Sequence, residues 1–197
     1  MKRFALFLLA LVSLAAHAAE PQKVFRYAFR VAESSFDPQK VIDLYSNITN
    51  SAMFDAPLRY DYLSNPPKLK PNTLAALPEI SADGKTFTMH VKPGVYFADD
   101  PAFGGKKREL VAEDYVYSMK RLMDPRLSAP LLSEVEDYIV GASEAVAKAR
   151  KENKFDYDAP IEGLKAIDRY TWQVKLAEPF FVWIYDLADC RVSCAVA

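Results

Sequence analysis

Residues 79–91 read EISADGKTFTMHV, and the interpretation of this stretch decides the fold class. Asp83-Gly84 sits between two alternating runs, and glycine there supplies the positive backbone dihedral that a tight hairpin turn demands. In the second run Phe87, Met89 and Val91 share one face while Thr86, Thr88 and His90 share the other. That period of two predicts a half-buried strand and places His90 on its polar side.

Working outward, residues 163–176 repeat the arrangement. Residues 163–167 lead into the turn Asp168-Arg169-Tyr170 and a returning run in which Trp172, Val174 and Leu176 share a face. Residues 24–31 alternate in the same way and predict a further strand, as does the short aromatic run 58–62. Between the two hairpins lies AEDYVYSMKRLMDP, residues 112–125. Its Tyr115, Val116, Met119, Leu122 and Met123 recur at helical steps and form one apolar stripe. Glu113 and Asp114 in its first turn and Lys120 and Arg121 in its last match the helix dipole, and Asp124-Pro125 stops it. Further helices are expected from Asn47, as a cap, through Ile48, Ala52, Met53 and Phe54, and over residues 131–139 and 143–151. Hairpins interrupted by helices define a mixed α/β domain rather than a bundle.

The chain opens with Met1-Lys2-Arg3, an apolar run over residues 4–14 and then Ala15-Ala16-His17-Ala18, the order of a secretory signal. Residues 1–18 are therefore expected to be removed after Ala18, because eleven apolar residues fall short of the roughly 20 that cross a bilayer. Losing Lys2 and Arg3 leaves 23 basic against 26 acidic side chains, a formal charge of −3. This balance argues against nucleic acid as a partner, which would call for a basic stripe. The run Lys106-Lys107-Arg108 beside Gly104-Gly105 reads as a solvated turn. Cys190 and Cys194 are expected to be two small buried or unpaired thiols; a disulfide is the alternative and requires their α carbons within about 7 Å. A four-residue spacing with no second ligand pair is not a zinc site.

Beyond residue 18 His90 is the one histidine, and no Gly-x-Ser-x-Gly turn, His-Glu-x-x-His helix or glycine-rich phosphate loop accompanies it. The carboxylate pairs Asp99-Asp100, Glu134-Glu136 and Asp156-Asp158 read as loop and helix-surface acids, since a glycosidase pair must meet across a cleft. No catalytic, cofactor or metal residue is assigned. Tyr45, Tyr60, Tyr62, Tyr115 and Tyr117 are read as packing residues taken singly, or as the lining of a ligand cleft.

Three stretches in series, SFDPQK after residue 34, PNTLAALPEISADGKTFTMHVKPGVYFADD over 71–100 and VAEDYVYSMKRLMDP over 111–125, resemble the N-terminal lobe of the family 5 extracellular solute-binding proteins. Residues 159–176 resemble that family's second hairpin. The resemblance implies a type II periplasmic binding protein-like α/β lobe, a mixed sheet with hairpins and packed helices, incomplete and spanning residues 19–197. It implies a periplasmic receptor, monomeric at full length, that delivers oligopeptides or related solutes to an ABC permease of the inner membrane. It also implies that an extended segment at Asp43-Leu44-Tyr45 pairs with the ligand backbone. Val111 stands where the family commonly has a threonine cap, and Leu131 where some peptide receptors offer an aromatic. The apolar close VWIYDLADCRVSCAVA is expected to be an interruption before the hinge and second lobe. The rival expectation is a secreted hydrolase of peptides or glycans.

Overall fold

The computed structural model describes residues 24–197, so the expected signal segment 1–18 lies outside the described residues. Residues 24–30 belong to one unit and residues 31–197 form another. Within the first, Phe25, Tyr27 and Phe29 line up as neighbouring rings, with centroids 6.5 and 5.4 Å apart. Residues 24–31 are not in a strand, contrary to expectation, and Phe25 and Tyr27 are exposed. Alternation specifies two faces, but a strand also needs a neighbouring edge with which to exchange hydrogen bonds.

The larger unit is built on a four-stranded antiparallel sheet in the order β3-β4-β6-β5, where β3 is Glu79–Ile80, β4 Thr86–His90, β5 Leu164–Ala166 and β6 Thr171–Lys175. Each hairpin forms as expected, and the two join through β4 and β6, with Phe87 opposite Val174 and Met89 opposite Trp172. Gly84 turns the first hairpin at φ 70°, and a Cβ there would stand 2.6 Å from the ring of Phe181. A separate antiparallel pair, β1 (Leu58–Asp61) and β2 (Lys68–Pro71), matches the strand expected from the aromatic run.

One face of the large sheet is the core. Phe87, Met89, Leu164, Trp172 and Val174 are buried there, and the helix Ala112–Leu122 packs onto it through Tyr115, Val116, Met119 and Leu122. The Tyr115 ring lies flat on the Trp172 ring, 5.1 Å between centroids and 11° between planes. Burial of two such large aromatics carries much of the packing free energy. The expected apolar stripe is thus the docked face of this helix, which is the second α-helix among the described residues; the first of them, α1, spans Leu44–Met53.

Here the structure corrects the sequence. α1 begins three residues before Asn47: Asp43 is its cap, with an extended backbone and a side-chain oxygen that accepts from the Ser46 amide at 2.9 Å. The expected apolar stripe on α1 is also turned outward. Its buried residues are Ser46 and Asn50, while Leu44, Ile48 and Met53 are exposed. The polar face is buried because it clasps a loop: the Ser34 amide donates to Ser46 Oγ at 2.7 Å and Asn50 Nδ2 to the Ser35 carbonyl at 3.4 Å.

With α2 as Ala112–Leu122, α3 is the single turn Ser133–Glu136, shorter than expected, and α4 is Ala142–Glu152. The chain then runs through a 3-10 segment, Phe181–Ala188, into α5, Cys190–Ser193. Cys190 and Cys194 are not free thiols but a disulfide, a correction with a simple cause: one helical turn brings their α carbons to 4.4 Å. The bridge rests on Ala56 and Phe54, and the Val196 amide donates to Ser118 Oγ of α2 at 2.9 Å.

Candidate ligand groove

Asp43 is the most polarised residue at the start of α1. Ser34 Oγ donates to one carboxylate oxygen at 2.6 Å and the Ser46 amide to the other. The Ser34 hydroxyl first, and the Ser46 amide and hydroxyl after it, pull its pKa down to about 2. Its carboxylate is committed to holding the loop and helix together. Only the beginning of the expected extended segment is extended: Asp43 is, but Leu44 and Tyr45 form the first helical turn. Leu44 projects outward and is 65% exposed.

Leu44, Asn47, Ile48 and Ser51 recur at steps of three and four, so they share the outward face of α1. Asn47 and Ser51 on that face line a cavity of about 350 Å³. The rest of its lining is Tyr60 of β1 with Tyr185, Asp186, Ala188, Asp189 and Cys190. The rings of Tyr60 and Tyr185 stack, 6.2 Å between centroids and 17° between planes. Burial raises the Tyr60 hydroxyl pKa, helped by Tyr185, Asp189 and Asp186.

The two acids of this lining differ. Asp189 caps α5 and grips Arg191, whose guanidinium donates to both carboxylate oxygens. The Asp186 carboxylate has no hydrogen-bond or ion-pair partner among the described residues, and its pKa rises to about 7, first through burial and then through Glu134 and Asp189. A second cavity of about 260 Å³ lies between Met53-Phe54-Asp55 and Tyr96-Phe97, with Thr73 and Leu110 in its lining.

Of the five tyrosines singled out in the sequence, only Tyr60 lines this groove. Tyr115 is buried against Trp172, where burial raises its pKa, and Tyr117 leans on Tyr157 at 5.2 Å. Tyr62 is 87% exposed. Tyr185 and Asp186 were hidden in the apolar phrase FVWIYDLA, which carries no periodicity of two or 3.6. His90 lies on the polar strand face as expected, with Nδ1 3.2 Å from Thr171 Oγ1 and Nε2 3.5 Å from Glu79. Asp99 is tied to Lys107 and Glu136 to Arg150. Among the described residues no group of three His, Cys, Asp or Glu could hold a metal ion, and no helix is long and apolar enough to cross a membrane.

Hairpins joined edge to edge, with a helix docked on their shared face, give the fold of a lobe of the type II periplasmic binding proteins. The chain belongs to the bacterial extracellular solute-binding proteins, family 5, whose model matches residues 68–195. It is 27% identical over 159 residues to the probable deoxycholate-binding periplasmic protein YgiS of Escherichia coli, covering 81% of this chain and 26% of that protein. It is 33% identical over 140 residues to di/tripeptide-binding protein 2 of Pseudomonas aeruginosa, covering 66% and 24%. In fold it is similar to a periplasmic oligopeptide-binding protein of Borrelia burgdorferi, with a TM-score of 0.68 at 21% identity over 83% of this chain and 29% of that one. The chain thus spans about a quarter of the length of the curated relatives it matches.

Proposed function

We propose that residues 19–197 supply one lobe of a periplasmic receptor that holds an oligopeptide or related small solute and presents it to an ABC permease in the inner membrane. Residues 1–18 act as the export signal. Closure of a second lobe over the groove completes the grip, and ligand contacts made from both sides shift the population to the closed state. The solute leaves as it entered, since no bond is made or broken.

The observation that carries this reading is the inverted amphipathicity of α1. Its polar residues are buried, while Leu44 and Ile48 face outward in line with the groove walled by Tyr60 and Tyr185. Exposed apolar side chains gathered at the edge of a cavity mark a binding surface. Asp43, Leu44 and Tyr45 are the proposed contacts. Asp43 acts through its backbone because its carboxylate is occupied, and Leu44 acts through its exposed side chain. The serine, asparagine and tyrosine groups on the groove's rim suit water-mediated contacts to a peptide backbone. Peptides rank first among solutes because the di/tripeptide and oligopeptide binders among the relatives are named for them.

Equilibrium dialysis of the purified chain against a defined mixture of di- to tetrapeptides tests this. Retention of peptides that are recovered intact is the expected result. Recovery of cleaved peptides would instead establish the hydrolase reading.

A further inference from the structure

The groove contains more chemistry than backbone recognition uses. Asp186 projects from the 3-10 segment into its wall without a partner, while the neighbouring acid Asp189 is neutralised by Arg191. The groups facing Asp186 are Glu134 from α3, Asp189, and the tyrosines Tyr60 and Tyr185; α1 contributes only the uncharged Asn47 and Ser51. Arg191, the cation close by, is held bidentately by Asp189. A half-buried carboxyl beside two other carboxylates and two aromatic faces lacks one thing, a positive charge. Tyrosine faces attract cations as well.

We propose that this groove is a subsite for a cationic group of the bound solute, an ammonium or guanidinium, held between the Asp186 carboxylate and the Tyr60–Tyr185 pair. The inference rests on the receptor reading above and deepens it by naming the solute class: peptides with a basic side chain next to the segment at Leu44. Asp189 contributes charge at longer range, and Asn47 and Ser51 add oxygen acceptors to the lining.

The coupling to pH follows from the geometry. Burial and the neighbouring acids keep Asp186 protonated until about pH 7, and a bound cation favours its ionised form. With that midpoint the carboxyl is roughly one-tenth ionised near pH 6 and roughly nine-tenths near pH 8, so affinity for a cation rises by about tenfold across that interval.

The test is a titration of the 15N-labelled full chain with trilysine and, separately, with N-acetylated trialanine, which carries no cationic group, followed through the amide resonances of Tyr60, Tyr185 and Asp186. Trilysine is expected to shift them with a Kd about tenfold lower near pH 8 than near pH 6, and Asp186→Asn should abolish that pH dependence. Acetylated trialanine should bind with no such dependence. Equal effects of the two peptides on the groove, or an unchanged trilysine titration in Asp186→Asn, would overturn the subsite. If acetylated trialanine shifts Leu44 and Tyr45 while trilysine gains nothing at Tyr185, the receptor reading stands and the subsite falls. If neither peptide shifts any of these residues, both fall. The pH profile of the unmodified chain serves as the independent measurement should the variant fold poorly.

Discussion

Arg121, at the last turn of α2, donates from Nη2 to Asp37 Oδ2 at 2.7 Å, joining two positions 84 apart in sequence. Both side chains are largely shielded, at 17% and 23% exposed, and the other oxygen of Asp37 accepts from the Gln39 amide at 3.2 Å. Asp37 therefore caps its own 3-10 turn, Pro38–Lys40, and anchors that turn to the scaffold helix. Gln39 adds a third tie by donating to the Ser118 carbonyl. The loop so fixed leads directly into Asp43 and α1. The α2 helix consequently positions the proposed ligand surface without touching it.

Asp37→Ala removes both the cap and the ion pair and should lower stability by about 2 kcal/mol, whereas Arg121→Met, which spares the cap, should cost about 1 kcal/mol. Urea unfolding of the two variants against the parent checks the order as well as the size.

Val111 occupies the cap position of α2 with an extended backbone and no side-chain acceptor. Half of a capping arrangement is already present, since the Val111 amide donates to Asp114 Oδ2 at 2.8 Å. Val111→Thr supplies the missing acceptor and keeps a methyl group, so it should raise stability by about 0.5–1 kcal/mol in the same urea assay.

Asp186 and Asp43 shift in opposite directions and act in separate pH windows. A carboxyl whose folded pKa lies above its ordinary 3.8 favours the folded state fully below that value, and the benefit is lost as pH rises through about 7. Stability should therefore fall between about pH 4 and 7 and level off above that, by about 1–2 kcal/mol in all once solvent screening of this half-exposed group is allowed for. Asp186→Asn should flatten that slope. Asp43 works the other way: its contribution is complete above 3.8 and fades as pH falls toward 2. Thermal melts from about pH 3 to 8, with and without each substitution, separate the two.

Gly163 is pinned between two backbones. It donates to the Val140 carbonyl and accepts from the Lys175 amide, both at 2.8 Å, and an added Cβ would lie 2.6 Å from the Lys175 oxygen and 2.7 Å from the Val140 nitrogen. Gly163→Ala should cost about 3 kcal/mol or more, because backbone cannot yield as a side-chain tip can. Gly94→Ala meets no atom within 4 Å and should cost about 1 kcal/mol, from its positive φ alone. Comparing the melting temperatures of the two variants checks the contrast.

What was legible in the sequence was whatever rests on local periodicity. Phe87, Met89, Trp172 and Val174 announced their buried face by alternation, and Tyr115, Val116 and Met119 did so by helical recurrence. What was not legible depends on partners remote in the chain. Alternation at Phe25 and Tyr27 could not reveal whether another strand edge would pair with them. The hydroxyl and amide of Ser46 and Asn50 are buried by residues 34 and 35, so hydropathy pointed the wrong face of α1 inward. The cap at Asp43 was readable, since aspartate is a preferred cap residue, but asparagine at Asn47 is preferred equally. The groove-lining Tyr185 and Asp186 lie on an eight-residue 3-10 segment, longer than such helices usually run and without a period that sequence reading recognises. The disulfide needed only one helical turn at Cys190, which Asp189 as a cap could have signalled.

The central claim is that this lobe grips a solute without transforming it, along the line from Asp43-Leu44-Tyr45 to the Tyr60–Tyr185 wall. The most direct measurement is an amide-resonance titration of the whole chain with an unlabelled tripeptide library, followed by recovery of the peptides. The account predicts saturable shifts concentrated at residues 43–51, 60 and 185–189, with every peptide recovered intact. Shifts clustered instead around His90 and Thr171, accompanied by peptide cleavage, would contradict it.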